Sequence, residues 1–78
     1  MDETTTTPPT SLWDLLTARE KEVAMMLARG DINREIAAAL GISVKTVDTH
    51  RAHLLEKLEC RNNVALVRLM VREGRVKP

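Results

Sequence analysis

Residues 33–58, NREIAAALGISVKTVDTHRAHLLEKL, read as two helices joined by a three-residue turn. The first helix is short and rich in small residues, Ala37, Ala38 and Ala39. Gly41 supplies the left-handed backbone position that ends it. Ser43 can cap a second, longer helix by accepting from the amide of Thr46 or its neighbour. Helices joined this tightly cross closely, so a small Ala37, a glycine at the turn and an aliphatic Val47 in the second helix are steric requirements. All three stand at the required offsets. The spacing is that of a helix-turn-helix, in which the second helix enters the DNA major groove.

Working outward, Thr17-Ala18-Arg19-Glu20 is a capping box that opens a helix over about 18–29, with Gly30 just past its end. Val23, Met26 and Leu27 share one face of it, and Met25 lies opposite. The second helix covers about 33–40 with Ile36 and Leu40 facing inward. Its start is open between Asp31 and Asn33, both competent caps, because Ile32 between them is not. The third helix covers about 44–58, and the fourth about 62–72, capped by Asn62. Residues 1–11 read as a disordered acidic tail of threonine and proline, and residues 12–78 as one domain. At their boundary, Ser11-x-x-Asp14 can cap a single turn carrying Leu12, Trp13 and Leu15. Trp13, the one aromatic residue, is expected to cover an open edge of the core. No strand pattern, repeat or glycine-rich phosphate loop occurs. The expected fold is all-α, a compact four-helix bundle.

A chain of 78 residues buries only about 60% of its unfolded surface. One cysteine, Cys60, forms no internal disulfide, and no Cys/His framework for a structural zinc exists. No cofactor is expected, and dimerisation is the natural source of added stability. No run approaches the ~18 apolar residues that span a bilayer, and the acidic start is unlike a signal peptide. These features point to the cytoplasm, in association with the nucleoid. Net charge is only +1. Residues 17–78, however, keep all 12 bases and eight of the acids, a net +4, compatible with DNA or with an ordinary solvated surface.

At 100° per residue the third helix divides into two arcs. Val44, Val47, Leu54, Leu55 and Leu58 are expected to face the first two helices. Lys45, Asp48, Thr49, Ala52 and Glu56 lie opposite, a strip without a large hydrophobe, as a groove-facing surface needs. Lys45, Thr46 and the free amides at the helix start can hold a phosphate. Asp48, Thr49 and Ala52 then lie over base edges: Asp48 accepts from a cytosine amino group, Thr49 hydrogen-bonds or touches a thymine methyl, and Ala52 makes a small apolar contact. Arg51 falls at the core edge, its stem over apolar surface and its head expected on Glu20. His50 turns inward and His53 outward, about 60° apart on the wheel. With Cys60 they make no convincing metal site, and no cleft or oxyanion donor suggests an enzyme.

The fourth helix is too apolar for a simple surface helix. Ala65, Leu66, Leu69 and Met70 form one face. Val64, Val67 and Val71 cluster on another, flanked by Arg68 and Arg72. Such a stripe marks a contact surface, either for a second copy in a two-fold homodimer or for Trp13 and the N-terminal segment folding over it.

Residues 16–72 resemble the LuxR-type (GerE-like) helix-turn-helix domain of bacterial transcription regulators. The resemblance rests on LTAREKEV at 16–23, NREIAAALGIS at 33–43, KTVDTHR at 45–51, KL at 57–58 and RNNVAL at 61–66. It implies a four-helix domain that binds double-stranded DNA through its third helix and dimerises through its fourth. Base-reading positions then fall on Asp48, Thr49 and Ala52. Phosphate positions fall on Arg34, Lys45, Thr46 and Lys57, with Arg61 beside them. Three residues depart from the pattern: Asp48 where a base is frequent, Ile32 where a capping residue is common, and Asn63 at the third place of R-N-[RS]-V. The departure at Asp48 keeps a second reading in view, a module of the same fold that binds another regulatory protein. About sixteen residues precede the motif, so the chain is either a stand-alone regulator or a fragment, with Met1 and the acidic tail favouring the first.

Overall fold

A computed structural model describes residues 11–77. The disordered state expected of the tail concerns residues outside the described ones, Ser11 excepted. A short 3-10 turn at Leu12–Leu15 precedes four helices: α1 at Ala18–Arg29, α2 at Asn33–Leu40, α3 at Val44–Lys57 and α4 at Asn63–Arg72. Among the described residues there is no strand, and the all-α expectation holds with helix limits within one residue.

The ends of these helices follow from local chemistry. Thr17 Oγ1 accepts from the Glu20 amide at 3.1 Å, and Glu20 Oε1 accepts from the Thr17 amide at 2.9 Å, the complete capping box. Ser43 accepts from the Thr46 amide at 3.0 Å and Asn62 from the Ala65 amide at 2.9 Å. The open question at the start of α2 resolves onto neither candidate. Ile32 is the N-cap, and its own amide is held by Glu35 Oε1 at 2.9 Å, half of a capping box. Asp31 is occupied by an ion pair with Arg29, and the Asn33 amide group by Asp48. Gly41 ends α2 at φ 69°, where any side chain would be strained.

The core is a single cluster. Val23, Ile36, Val47, Leu54, Leu66 and Met70 are fully buried, with Trp13, Leu16, Leu27, Ala37 and Leu58 around them. α3 is the hub: α1, α2 and the 3-10 turn all pack on it, and α4 completes the bundle against α1. Trp13 is buried as expected. Its ring lies 4.7 Å from the Arg75 guanidinium, and Ser11 Oγ donates to Glu73 Oε1 at 2.7 Å, so the N-terminal turn is fastened to the exit of α4. In that turn it is Leu16 rather than Leu15 that enters the core.

Two expectations are corrected. Val44, placed on the inward arc, is 44% exposed. A helical wheel gives direction around the axis but not position along it, and this first residue of α3 lies beyond its neighbours' cover. Arg51 does not reach Glu20. Lys57 occupies that carboxylate, with Nζ 2.8 Å from Oε1, and Arg51 turns to Asp48 at 3.4 Å.

Candidate nucleic-acid interface

The buried side of α3 determines what its other side can present. Val47, Leu54 and Leu58 anchor the helix in the core, so Lys45, Thr46, Asp48, Thr49 and Ala52 are all left exposed on the outer side. Ser43 and Thr46 pair their hydroxyls at 2.8 Å at the start of the helix, beside the positive end of its dipole. Lys45 stands there too, and Arg34 is exposed on α2. Arg61 is exposed in the segment between α3 and α4. These exposed cations suit an anionic ligand by charge, and the outer side of α3 also carries the carboxylates of Asp48 and Glu56.

The strip's polar groups are partly committed within the protein. The Thr49 hydroxyl donates to the Lys45 carbonyl at 3.1 Å, which leaves its methyl and oxygen lone pairs for a partner. The Asn33 Nδ2 group donates to Asp48 Oδ1 across the helix-turn-helix, and Arg51 Nη2 donates to the same oxygen. The Asn33 link was not legible from the wheel, which treats each helix alone; the Arg51 link is an i, i+3 pair within α3.

Lys57 differs from the other predicted phosphate contacts. Its ammonium lies on Glu20, a carboxylate only 4% exposed. Burial pushes the Glu20 carboxyl upward, but the Lys57 ammonium and the Thr17 amide outweigh it, and the net position is below the ordinary carboxylate range. The pair joins the first turn of α1 to the last residue of α3. Both residues stand out in the sequence, but Glu20 was expected to pair with Arg51 rather than with Lys57.

The remaining candidates are placed as follows. His50 is half-buried and His53 exposed. Cys60 is half-buried, its Sγ 3.6 Å from the Leu58 carbonyl, and burial raises its pKa against the opposing charge of Arg72. Among the described residues no group of three or more His, Cys, Asp or Glu side chains is arranged to hold a metal. Also among them, no helix is long and apolar enough to cross a membrane. On α4, Val64 is 67% exposed, while Val67 and Val71 are half-buried and line a shallow depression with Arg68 and Arg72. Asn63 is turned inward, its Oδ1 buried without a partner.

A tight helix-turn-helix whose second helix is anchored by its apolar side and polar on the other points to a family, and comparison with known proteins bears this out. Residues 14–70 match the model for "Bacterial regulatory proteins, luxR family". The chain belongs to this family. It is 56% identical over 57 residues to the transcriptional regulatory protein UhpA of Escherichia coli. It is 45% identical over 53 residues to the tetrathionate response regulatory protein TtrR of Salmonella typhimurium, and 43% identical over 56 to the response regulator protein VraR of Staphylococcus aureus. These matches cover 73%, 68% and 72% of the present chain but only 29%, 26% and 27% of the relatives. The luxR-family chain therefore spans less than a third of each of these relatives.

Proposed function

We propose that this luxR-family chain is a sequence-specific DNA-binding unit of a transcription regulator, acting as a homodimer with α3 of each protomer in the major groove. The observation that carries the reading is the exposed strip Lys45, Thr46, Asp48, Thr49 and Ala52, which has no large hydrophobe and backs onto a fully buried Val47 and Leu54. Arg34, Lys45, Thr46 and Arg61 supply phosphate contacts, which set affinity without sequence information. Asp48, Thr49 and Ala52 meet base edges. Lys57, a phosphate position by resemblance, instead holds α3 through its ion pair with Glu20.

Gel shifts on duplexes recovered from genomic fragments separate the two kinds of contact. Lys45→Ala is expected to weaken binding to every duplex by a similar factor. Thr49→Ala is expected to lower affinity for the preferred duplex about 5- to 100-fold while sparing others, the range of a lost base contact. Equal losses on every duplex for Thr49→Ala would remove it from the base-reading set. A parent chain that forms no saturable complex at ~50–150 mM salt would favour the protein-interaction module instead.

The dimer reading is supported by the valines of α4. Val64, Val67 and Val71 form an apolar stripe between Arg68 and Arg72, as an isologous contact about a two-fold axis requires. Two copies then address half-sites about one helical turn apart. Val67→Glu places a carboxylate opposite its own copy and is expected to halve the sedimenting mass and lower DNA affinity together. Unchanged mass and affinity would remove the α4 dimer.

A further inference from the structure

We propose that Asp48 reads a cytosine through its free carboxylate oxygen, and that Asn33, on the preceding helix, is the residue that positions it. This rests on the DNA-binding reading above and deepens it. Asn33 Nδ2 and Arg51 Nη2 both donate to Oδ1 of Asp48. Oδ2 has no hydrogen-bond partner among the described residues, and the side chain is 51% exposed on the groove-facing strip. One oxygen is thus anchored and the other is presented. Asn33 is the first residue of α2 and Asp48 the fifth of α3, so the anchor fixes the carboxylate relative to both helices. An unanchored aspartate rotates and offers either oxygen, and ordering it on binding costs entropy. Arg51 also offsets the negative charge, which otherwise opposes the approach of phosphates.

The choice of base follows from donor and acceptor chemistry. A carboxylate only accepts. In the major groove cytosine presents its N4 amino donor, whereas guanine presents N7 and O6 acceptors and thymine an O4 acceptor and a methyl group. Adenine has an amino donor, but the adjacent N7 acceptor repels a carboxylate. Cytosine is the base that meets Oδ2 with a donor and no neighbouring acceptor.

Selection of bound duplexes from a random pool, using the 78-residue chain, tests the assignment. The parent is expected to recover cytosine at one fixed position of each half-site, preferred about tenfold over other bases. Asn33→Ala is expected to keep cytosine but reduce the preference to about threefold, with unchanged salt dependence. In Asp48→Asn the amide oxygen stays on Asn33 and Arg51, so the amino group is presented and the preference moves to guanine or thymine. Thr49→Ala leaves the cytosine in place. Saturable binding by the parent without a cytosine preference overturns the inference while leaving the DNA-binding reading intact. So does an Asp48→Asn variant that selects adenine, the choice of an unanchored amide making both hydrogen bonds. No saturable complex with any duplex overturns both.

Discussion

Raising salt fourfold, from about 50 to 200 mM, is expected to lower the affinity of this chain for its DNA roughly 10³-fold. Arg34, Lys45 and Arg61 are exposed, and none carries an intramolecular ion pair among the described residues. A dimer therefore brings about six cations to phosphates, and each releases condensed counterions, so log affinity falls with log salt at a slope of about −5. A single protomer on the DNA has a slope of only about −3, and the same titration reports the stoichiometry. Lys45→Ala removes one contact per protomer and flattens the slope by about 2. Lys57→Met leaves the slope unaltered, because its ammonium already neutralises Glu20. Fluorescence anisotropy across the salt range checks all three, and a slope near zero for the parent would contradict the phosphate assignment.

Lys57→Met is expected to have its large effect on stability. It leaves the Glu20 carboxylate, 4% exposed, without its cation. Breaking a fully buried pair this way costs about 3–5 kcal/mol. The Lys57 side chain is 36% exposed, so solvent screens part of the interaction and about 2–3 kcal/mol is the expected loss. In a domain this small that lowers Tm by about 10–20 °C. The double variant Glu20→Gln/Lys57→Met is expected to recover part of it, since no buried charge remains.

The pH dependence gives the same pair a second signature, because Lys57 is the chief downward influence on the Glu20 carboxyl. In the parent, the Glu20 carboxyl lies below its ordinary value. Its contribution is therefore complete above the unfolded value near about 4.3 and is lost as pH falls through the lower folded value. Burial is the largest single influence on Glu20 and acts upward, opposed chiefly by Lys57. With Lys57 gone, its downward pull is lost and the folded value moves up. The stability that the pair adds is therefore present at neutral pH and is lost as pH falls through the Glu20 titration. Thermal melts of parent and variant from about pH 7 to 3 are expected to differ most at neutral pH and to converge on acidification. Parallel curves would show that Lys57 does not govern the ionisation of Glu20.

The expected salt slope, the melting behaviour and the base preference draw unequally on sequence and structure. The helix limits, the Thr17–Glu20 capping box, the glycine turn at Gly41 and the outward strip of α3 are written locally. Each depends on residues within about four positions of one another, where 3.6-residue periodicity and backbone sterics leave few alternatives. The family was legible by resemblance, from motif segments running in order from LTAREKEV at 16–23 to RNNVAL at 61–66. What the chain alone did not disclose were partners across helices. Glu20 belongs to Lys57 rather than Arg51, 37 residues away in sequence, and Asp48 to Asn33, 15 residues away. Val44 escapes the core because burial depends on how far neighbouring helices reach along the axis, not only on angle. The choice of ion partner and the depth of an end residue are set by how helices cross, and that crossing exists only once the core of Val47, Leu54, Leu66 and Met70 has assembled.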